Sequence, residues 1–422
     1  MNRKKIFYAF LTILAFNYSC ESDKIEEEVT ITQDDTSLVT FKEAEKISGE
    51  YIVLLGKEQK QKMFENNTQL KNASNYRQRQ SLVLSYVEDI FKSGEIALQK
   101  EAIMKVYSSK ANVGFLAKLE PRQAKLLKEK GYKVHDNVIF GINPICQIIP
   151  WLCSETGDVS GGEDRQQKTP WGIARVGGPR DFSKSSKTAW VIDTGIDLDH
   201  PDLNVDVARS KDFTGKGTPD DGNGHGTHVA GTIGAINNNF GVVGVAAGVK
   251  VAGIKVLSDQ GSGSYADILA GVDYVAQNSR PGDVVNLSLG GPSFFGGSFP
   301  AETALIKLAA TGVYVSVAAG NSSAPAAFFT PAKANGKNFY TISSMNNKDD
   351  MSYFSNWGGP VDYAAPGSKV NSTLPGGRYG VFSGTSMAAP HAAGVLLVTN
   401  GRPNTDGKTT GDFDGGDKII HN

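Results

Sequence analysis

Between residues 41 and 140, the spacing of apolar residues switches between the strand period of two and the helical period of 3.6. The helical period across Tyr76–Phe91 predicts a long helix. The full predicted order of elements is β-α-β-β-α-β, which is typical of a small ferredoxin-like α+β domain. The predicted elements are, in order, a strand at Glu50–Leu55, the helix, strands at Ile103–Tyr107 and Val113–Leu119, a helix at Arg122–Lys130 and a strand at Tyr132–Ile139.

From residue 166 onward, apolar strand-like runs alternate with helical stretches. Continuous apolar runs are what burial on both faces of a sheet requires, so the alternation predicts a parallel sheet between helices. Ligand sites in such sheets lie beyond the carboxyl ends of the strands. The predicted strands are Ala189–Ile192, Val249–Leu257, Val284–Leu289, Val313–Ala318 and Phe339–Ser343, and the predicted helices are Val229–Ile236, Ala266–Gln277, Ala301–Ala310 and Ser386–Val398.

The first twenty residues have the pattern of an export signal. Three basic residues at positions 3–5 precede the apolar run Ile6–Phe16, which is too short to span a bilayer. Cys20 follows the small residue Ser19, as in a bacterial lipoprotein processing site. We expect an exported protein, with lipidation at Cys20 and plain signal cleavage both left open. It would be secreted or held as a lipoprotein of the bacterial cell envelope.

Composition divides the remaining chain into five parts. Residues 21–40 form an acidic spacer, 41–140 the small domain, 141–165 a linker, 166–400 the large domain and 401–422 a Gly- and Asp-rich tail without a closing helix. The linker contains Cys146 and Cys153, which either pair or remain inert thiols.

The overall charge excludes one class of partner. Lys and Arg number 43 against 44 Asp and Glu, so there is no basic excess for nucleic-acid binding. Three cysteines are too few for a disulfide scaffold or a Cys-rich zinc site. The apolar share of 40% is enough for a sizeable core.

Three chemically active residues lie at the ends of predicted elements. Asp193 follows a predicted strand, while His225 and Ser386 lie near the starts of two helices. A serine hydroxyl becomes a nucleophile when an imidazole accepts its proton and a carboxylate orients that imidazole. These residues therefore form a candidate activated-nucleophile site.

The sequence around these residues resembles the subtilisin-like serine proteases. The motifs are Val-Ile-Asp-Thr-Gly-Ile at Asp193, His-Gly-Thr-His-Val-Ala-Gly at His225 and Gly-Thr-Ser-Met-Ala-Ala-Pro-His at Ser386. Their order, Asp, His, Ser, differs from the chymotrypsin-like and α/β-hydrolase orders. The resemblance covers about residues 166–400 and implies a subtilisin-like α/β fold, with a parallel sheet sandwiched by helices. It also implies that this chain is a secreted serine endopeptidase.

The resemblance implies further site residues. Asn321 matches the oxyanion-hole asparagine of the family, and two Gly- and Ser-containing segments match those that clamp an extended substrate. Together with the end of a third strand they would line an uncharged pocket for the residue before the scissile bond. The implied substrate-binding residues are Gly261, Ser262, Gly263, Ser288, Leu289, Gly290, Ala318 and Gly320.

A structural calcium (Ca²⁺) site is also implied, with an ordinary Asn-rich turn as the alternative. Calcium takes six to eight oxygen ligands, carbonyls included. The ligands would be the side chains of Gln167, Asp202 and Asn238 and the carbonyls of Ile236, Phe240 and Val242. The nearby carboxylates of Asp197 and Asp199 could serve another ion, but we expect them to lie on the solvated surface.

Residues 50–140 resemble the inhibitory prodomain of these proteases (inhibitor I9 type). The resemblance implies a zymogen that cleaves itself between residues 141 and 167, with the prodomain as an intramolecular inhibitor. The segment from Gln167 resembles a mature amino terminus, which favours a cut shortly before it, and a cut at the earlier end of the linker is the alternative. A permanently attached binding module is the alternative for this domain. For the whole chain, the alternatives are a cell-surface binding protein on a protease-like scaffold and a hydrolase that does not act on peptides. Protein or peptide substrates are the expected partners.

Overall fold

A computed structural model describes residues 45–142, 166–293, 299–412 and 415–422, except residues 74, 93–95, 97 and 110–111. The predicted signal peptide with Cys20, the acidic spacer 21–40, and Cys146 and Cys153 lie outside the described residues. Among the helices that are described, none combines the length and the apolar character needed to cross a membrane.

The small domain has the predicted order of elements, with two additional helices after the first strand. The polar sequence of the first added helix contains only one adjacent apolar pair, Met63 and Phe64, and therefore shows no helical stripe. The elements are β1 (Lys46–Leu54), α1 (Lys57–Asn66), α2 (Thr68–Asn72), α3 (Tyr76–Lys92), a 3₁₀ turn (Lys100–Ala102), β2 (Ile103–Ser108), β3 (Val113–Lys118), α4 (Pro121–Glu129) and β4 (Lys133–Gly141).

The strands of the small domain form an antiparallel sheet in the order β4-β1-β3-β2. Side chains alternate across this sheet, because successive residues of a strand point to opposite faces. Val53 packs into the core beneath the domain's own helices, whereas its neighbours Ile52 and Leu54 pack against the large domain. The large domain therefore covers the second face of the sheet.

The large domain alternates strands and helices as predicted. Its helices are α5 (Trp171–Arg175), α6 (His225–Gly234), α7 (Tyr265–Asn278), α8 (Pro300–Ala309) and α9 (Thr385–Val398), with a 3₁₀ turn at Ala326–Phe328. Its strands are β5 (Arg180–Asp181), β6 (Thr188–Asp193), β7 (Asn204–Val205), β8 (Lys211–Asp212), β9 (Ala246–Ala247), β10 (Lys250–Lys255), β11 (Ser262–Ser264), β12 (Val284–Leu287), β13 (Gly291–Pro292), β14 (Tyr314–Ala318), β15 (Phe329–Thr330), β16 (Phe339–Met345), β17 (Tyr363–Pro366), β18 (Val370–Leu374), β19 (Arg378–Phe382), β20 (Asn404–Lys408) and β21 (Lys418–His421).

The central sheet of this domain has the order β20-β21-β17-β16-β14-β12-β6-β10-β7. Its pairs are parallel except for the edge hairpin of β20 and β21. Trp190 and Ile192 of β6 pack with α7 and α8, whereas Ala189 and Val191 pack with α6 and α9. The predicted parallel sheet between two helical layers is confirmed.

The segment after Asn400 is more ordered than a Gly- and Asp-rich tail suggests. Strand β21 pairs in parallel with β17, and its residues Ile419 and Ile420 are fully buried. Arg175 connects this region to α5, because its guanidinium donates to the carboxylates of Asp349 and Asp406. The last residues thus extend the central sheet.

Candidate active site

The carboxyl end of β6 brings an acid and an imidazole together. Asp193 is the last residue of that strand and is completely buried. His225 is the first residue of α6, after Gly224, whose φ of 106° favours glycine. The His225 Nδ1–H donates to Asp193 Oδ1 at 2.8 Å.

The surroundings of His225 favour its charged form. Burial acts to lower the pKa of this imidazole, but the negative charges of Asp193 and Asp221 raise it above its ordinary value. The bond at Nδ1 leaves Nε2 as the nitrogen that can take up a proton. This is the arrangement of a general base oriented by a carboxylate.

Ser386 lies at the start of α9, in its first turn. Its Oγ donates to Ser288 O at 3.1 Å, and Ser288 Oγ donates to Ser386 O at 2.7 Å. Ser288 directly follows β12, so these two bonds link α9 to the carboxyl end of the sheet.

Asn321 lies beside Ser386 with its amide orientation determined by Thr385. The Asn321 Oδ1 accepts hydrogen bonds from Thr385 N and Thr385 Oγ1, both at 2.8 Å, so its Nδ2 remains available as a donor. A Cβ built on Gly384 would lie 3.4 Å from Asn321 Nδ2 and 3.6 Å from Ser386 N. Two N–H donors therefore flank the space that glycine leaves open, which is the arrangement needed to bind a developing oxyanion.

The two predicted substrate-binding segments face each other across a cleft, and the end of β4 lies between them. On one side, β4 pairs antiparallel with β11, and Ile142 N donates to Gly261 O at 3.0 Å. On the other side, Gly141 pairs with Gly290. The cleft therefore binds an extended chain through main-chain hydrogen bonds on both sides.

Phe140 of β4 occupies an apolar pocket next to this cleft. Its ring lies 5.3 Å from the ring of Tyr265 and 6.1 Å from that of Phe299. A Cβ on Gly291 would lie 2.7 Å from the Phe140 ring, so a glycine there is needed for the ring to fit. The pocket is otherwise lined by Ile268, Leu287, Leu289, Gly290, Ala301, Leu305, Thr330 and Pro331.

The remaining predicted pocket residues lie next to Asn321. Ala318 is the last residue of β14, and Gly320 N donates to Thr385 Oγ1 at 3.1 Å. The structure thus brings Ser288, Gly320 and Asn321 together at the first turn of α9, where Ser386 lies.

Comparison with known proteins agrees with this geometry. A sequence profile described as the Subtilase family (Peptidase S8) matches residues 189–410. The chain belongs to the subtilase family. This match includes the three motifs and Asn321.

Individual subtilases are similar over the same part of the chain. Subtilisin E of Bacillus subtilis is 40% identical over 239 residues, which are 55% of this chain and 61% of that protein. Subtilisin of Bacillus pumilus has the same identity over the same length, covering 84% of its own sequence. A crystal structure of a cold adapted subtilisin-like serine proteinase aligns with a TM-score of 0.51 and 36% identity, over 60% of this chain and 97% of that one.

Five of the six predicted calcium-ligand residues of this subtilase converge on one point, and the sixth, Asp202, lies beside it. Gln167 Nε2 lies 2.7 Å from Ile236 O, 3.2 Å from Asn238 Oδ1, 3.5 Å from Phe240 O and 3.2 Å from Val242 O. Asp202 borders this cage, since its carboxylate accepts from Asn238 Nδ2 and Val242 N. An amide with two N–H donors cannot satisfy four oxygens, so the cage has the oxygen-rich chemistry of a cation site.

One acidic residue was placed wrongly by the sequence prediction. Asp197 is buried rather than solvated, and its carboxylate accepts from Gly376 N at 2.8 Å. Asp199 is exposed, as expected. Asp197 stabilises a loop of the subtilase fold.

Sequence reasoning missed the residues that join the two domains. Asp273 of α7 is buried and accepts from Ser108 N at 2.9 Å and Ser109 N at 2.7 Å. Asn137 Oδ1 accepts from Ala266 N near the start of the same helix. One sequence signal could have indicated Asp273. It lies four residues after Leu269 and therefore on the apolar face of the predicted helix Ala266–Gln277.

Proposed function

We propose that this subtilase is a serine endopeptidase. Ser386 attacks the peptide carbonyl, His225 takes the hydroxyl proton and later gives it to the leaving amine, and Asp193 orients His225. The bond of 2.8 Å between His225 Nδ1 and buried Asp193 carries this proposal. Before attack, the Ser386 hydroxyl proton turns from Ser288 O towards His225 Nε2.

The oxyanion of the tetrahedral intermediate would receive two hydrogen bonds. Asn321 Nδ2 and Ser386 N are the donors, and both lie around the open space at Gly384. Preorganised donors of this kind stabilise the transition state more than the substrate.

The substrates would be extended polypeptides. The contacts of β4 with Gly261 and Gly290 support this, because a substrate main chain would make the same antiparallel bonds. The segments around the cleft carry no charged side chains at positions 261–263, 288–290 and 318–320, which favours uncharged side chains in the substrate.

The chain would be made as a zymogen. In the uncut protein, β4 fills the cleft that a substrate would need, so the small domain acts as an inhibitor in the same chain. Gly141 pairs only two residues away from Ser288, whose carbonyl accepts from Ser386. The processing cut between residues 141 and 167 would therefore fall near the start of this interval.

Structural calcium would bind in the cage around Gln167. Its ligands would be the side-chain oxygens of Gln167, Asp202 and Asn238 and the carbonyls of Ile236, Phe240 and Val242. The ion would supply positive charge that holds these oxygens and the segment at Gln167 together. A reversed Gln167 amide presents its oxygen to the same point.

The protein would be exported, with Cys20 as a lipid anchor. If so, the self-cleavage separates the protease from that anchor. Membrane fractionation that follows both fragments tests this. A cut protease that stays on the membrane through Cys20 would contradict it.

The central proposal is tested by measuring the intact mass of the purified protein starting at Glu21 with calcium present. The Ser386→Ala variant is measured in parallel. We expect only the parent to split within residues 141–167 and only the parent to react with a serine-directed covalent probe. If both proteins stay whole and neither reacts, the chain is not a serine peptidase. If the parent reacts with the probe but stays whole, the proposed enzyme activity is supported and the proposed zymogen processing is contradicted.

A further inference from the structure

Asp221 is a buried carboxylate between the two segments that carry Asp193 and His225. It lies in the loop before α6 and is 4% exposed. Five hydrogen bonds end on its two oxygens, which fully uses the acceptor capacity of a carboxylate, with its roughly four lone pairs. The donors are Thr194 Oγ1 at 2.9 Å, Asn223 N at 2.9 Å and Gly224 N at 3.0 Å to Oδ1, and Thr227 N at 2.9 Å and Thr227 Oγ1 at 2.6 Å to Oδ2.

These bonds connect the end of β6 with the start of α6. Thr194 directly follows Asp193 in the chain. Gly224 directly precedes His225, and Thr227 comes two residues after it. Thr194 Oγ1 also accepts from Gly226 N at 2.9 Å, which closes a second bridge between the same segments. Strand end and helix start are therefore linked through Asp221 independently of the bond between Asp193 and His225.

The charge of Asp221 also acts on His225. The negative charges near the imidazole are Asp193 from β6 and Asp221 from the loop, and together they raise its pKa against the effect of burial. His228, on the same helix, has a pKa of about 3 because of its burial and is neutral at ordinary pH. The ammonium of Lys255 donates to Thr194 O and Asp259 Oδ1.

We propose that Asp221 is a positioning residue for the Asp193–His225 pair. It anchors the loop before α6 so that the imidazole meets the carboxylate, and its charge favours the imidazolium that forms during the reaction. The predicted change in kcat rests on the proposed peptidase function. Its effect on His225 does not depend on turnover.

The test compares Asp221→Asn with Asp197→Asn in the full chain with calcium present. Asp197 is a matched control, because it is also a buried carboxylate that accepts a backbone N–H, from Gly376. The measurements are the NMR titration of the His225 imidazole, kcat and KM on a peptide substrate, and the pH profile of kcat/KM.

In Asp221→Asn we expect kcat to fall on the order of 10- to 100-fold, because small displacements of catalytic groups have effects of this size. The His225 titration and the acid limb of the pH profile should both move to lower pH, since one negative charge has been removed. Asp197→Asn should leave the titration and the limb unchanged. A folded Asp221→Asn protein with unchanged kcat and titration would overturn the inference.

Two further results keep the test decisive. If Asp221→Asn does not fold, Thr194→Val replaces it, since it removes one bond to Asp221 and the bond to Gly226 N but keeps the charge. That variant should lower kcat without moving the acid limb, and an unchanged kcat would overturn the inference. If the unaltered chain hydrolyses no peptide, the proposed function fails, and the NMR titration alone decides the role of Asp221.

Discussion

Ser288 and Ser386 exchange two hydrogen bonds, one from each hydroxyl to the carbonyl of the other residue. Ser288 Oγ also accepts from Asn286 Nδ2 at 2.9 Å. The proposed nucleophile is therefore held by a residue of the segment that binds substrate. Substrate binding and positioning of the nucleophile share this contact.

Replacing Ser288 by alanine should destabilise the fold. Ser288→Ala removes the hydroxyl partner of two buried polar groups, Ser386 O and Asn286 Nδ2, at a cost of about 1–3 kcal/mol. Urea unfolding of the Ser386→Ala background measures this without self-digestion. Ser322→Ala, at a partly exposed position, is the control and should leave the midpoint unchanged. Equal midpoints for both variants would contradict the prediction.

The amide of Asn321 should contribute to turnover rather than to substrate binding. Asn321→Leu should reduce kcat by about 10²–10³ with little change in KM, a magnitude observed for such a donor in a subtilisin rather than worked out from this structure. Steady-state kinetics on a peptide substrate measure both constants. A variant that keeps more than about a tenth of the parent kcat would speak against an oxyanion role.

Thr385 should act through Asn321. Thr385→Val removes the hydroxyl that donates to Asn321 Oδ1 but keeps the backbone N–H on the same oxygen. The loss of kcat should therefore be smaller than that of Asn321→Leu, and Thr385→Ser, which keeps the hydroxyl, should restore most of it. Equal losses in the valine and serine variants would show that the hydroxyl does not orient the amide.

Calcium removal should lower thermal stability through the cage around Gln167. Chelation should lower the melting temperature of the Ser386→Ala protein, because a ligand that binds only the folded state stabilises it. Asp202→Asn should weaken this dependence on calcium, while Asp199→Asn, at an exposed acid in the same segment, should retain it. If the melting temperature of the parent protein does not change when calcium is removed, the proposed calcium site is contradicted.

Asp273 should make the stability of the uncut chain depend on pH. Its complete burial raises the pKa of this carboxyl to about 6, against the opposing hydrogen bonds from Ser108 and Ser109. Because the pKa is raised in the folded state, the stabilising contribution is largest below about 4 and is lost as pH rises through 6. Asp273→Asn in the Ser386→Ala background should not show this loss. Its stability relative to the parent should therefore rise by up to about 1.4 kcal/mol per pH unit within that window, and a constant difference would contradict the assignment.

Local sequence patterns predicted most of the architecture. The strands β6, β12 and β14 are mostly apolar, with Asn286 and Ser316 among the exceptions, because both faces of those strands are buried, so the parallel sheet followed from them. Helix α6 begins at His225, four residues before the predicted start at Val229. The prediction missed this first turn because it contains Gly226 and Thr227, which are weak helix formers. Tertiary bonds at Gly226 and Thr227 stabilise that turn instead.

Three long motifs in one order, each with specific side chains, were enough to indicate the family and to propose Asp193, His225, Ser386 and Asn321 as the site residues. Three contacts became visible only in the folded chain: Gly141 lies against Gly290, Asp273 accepts from Ser108 N, and β21 pairs with β17. These contacts join residues far apart in the chain through main-chain groups or single side chains. Such contacts leave no periodic pattern in the sequence, since every residue type except proline carries the same backbone N–H and C=O.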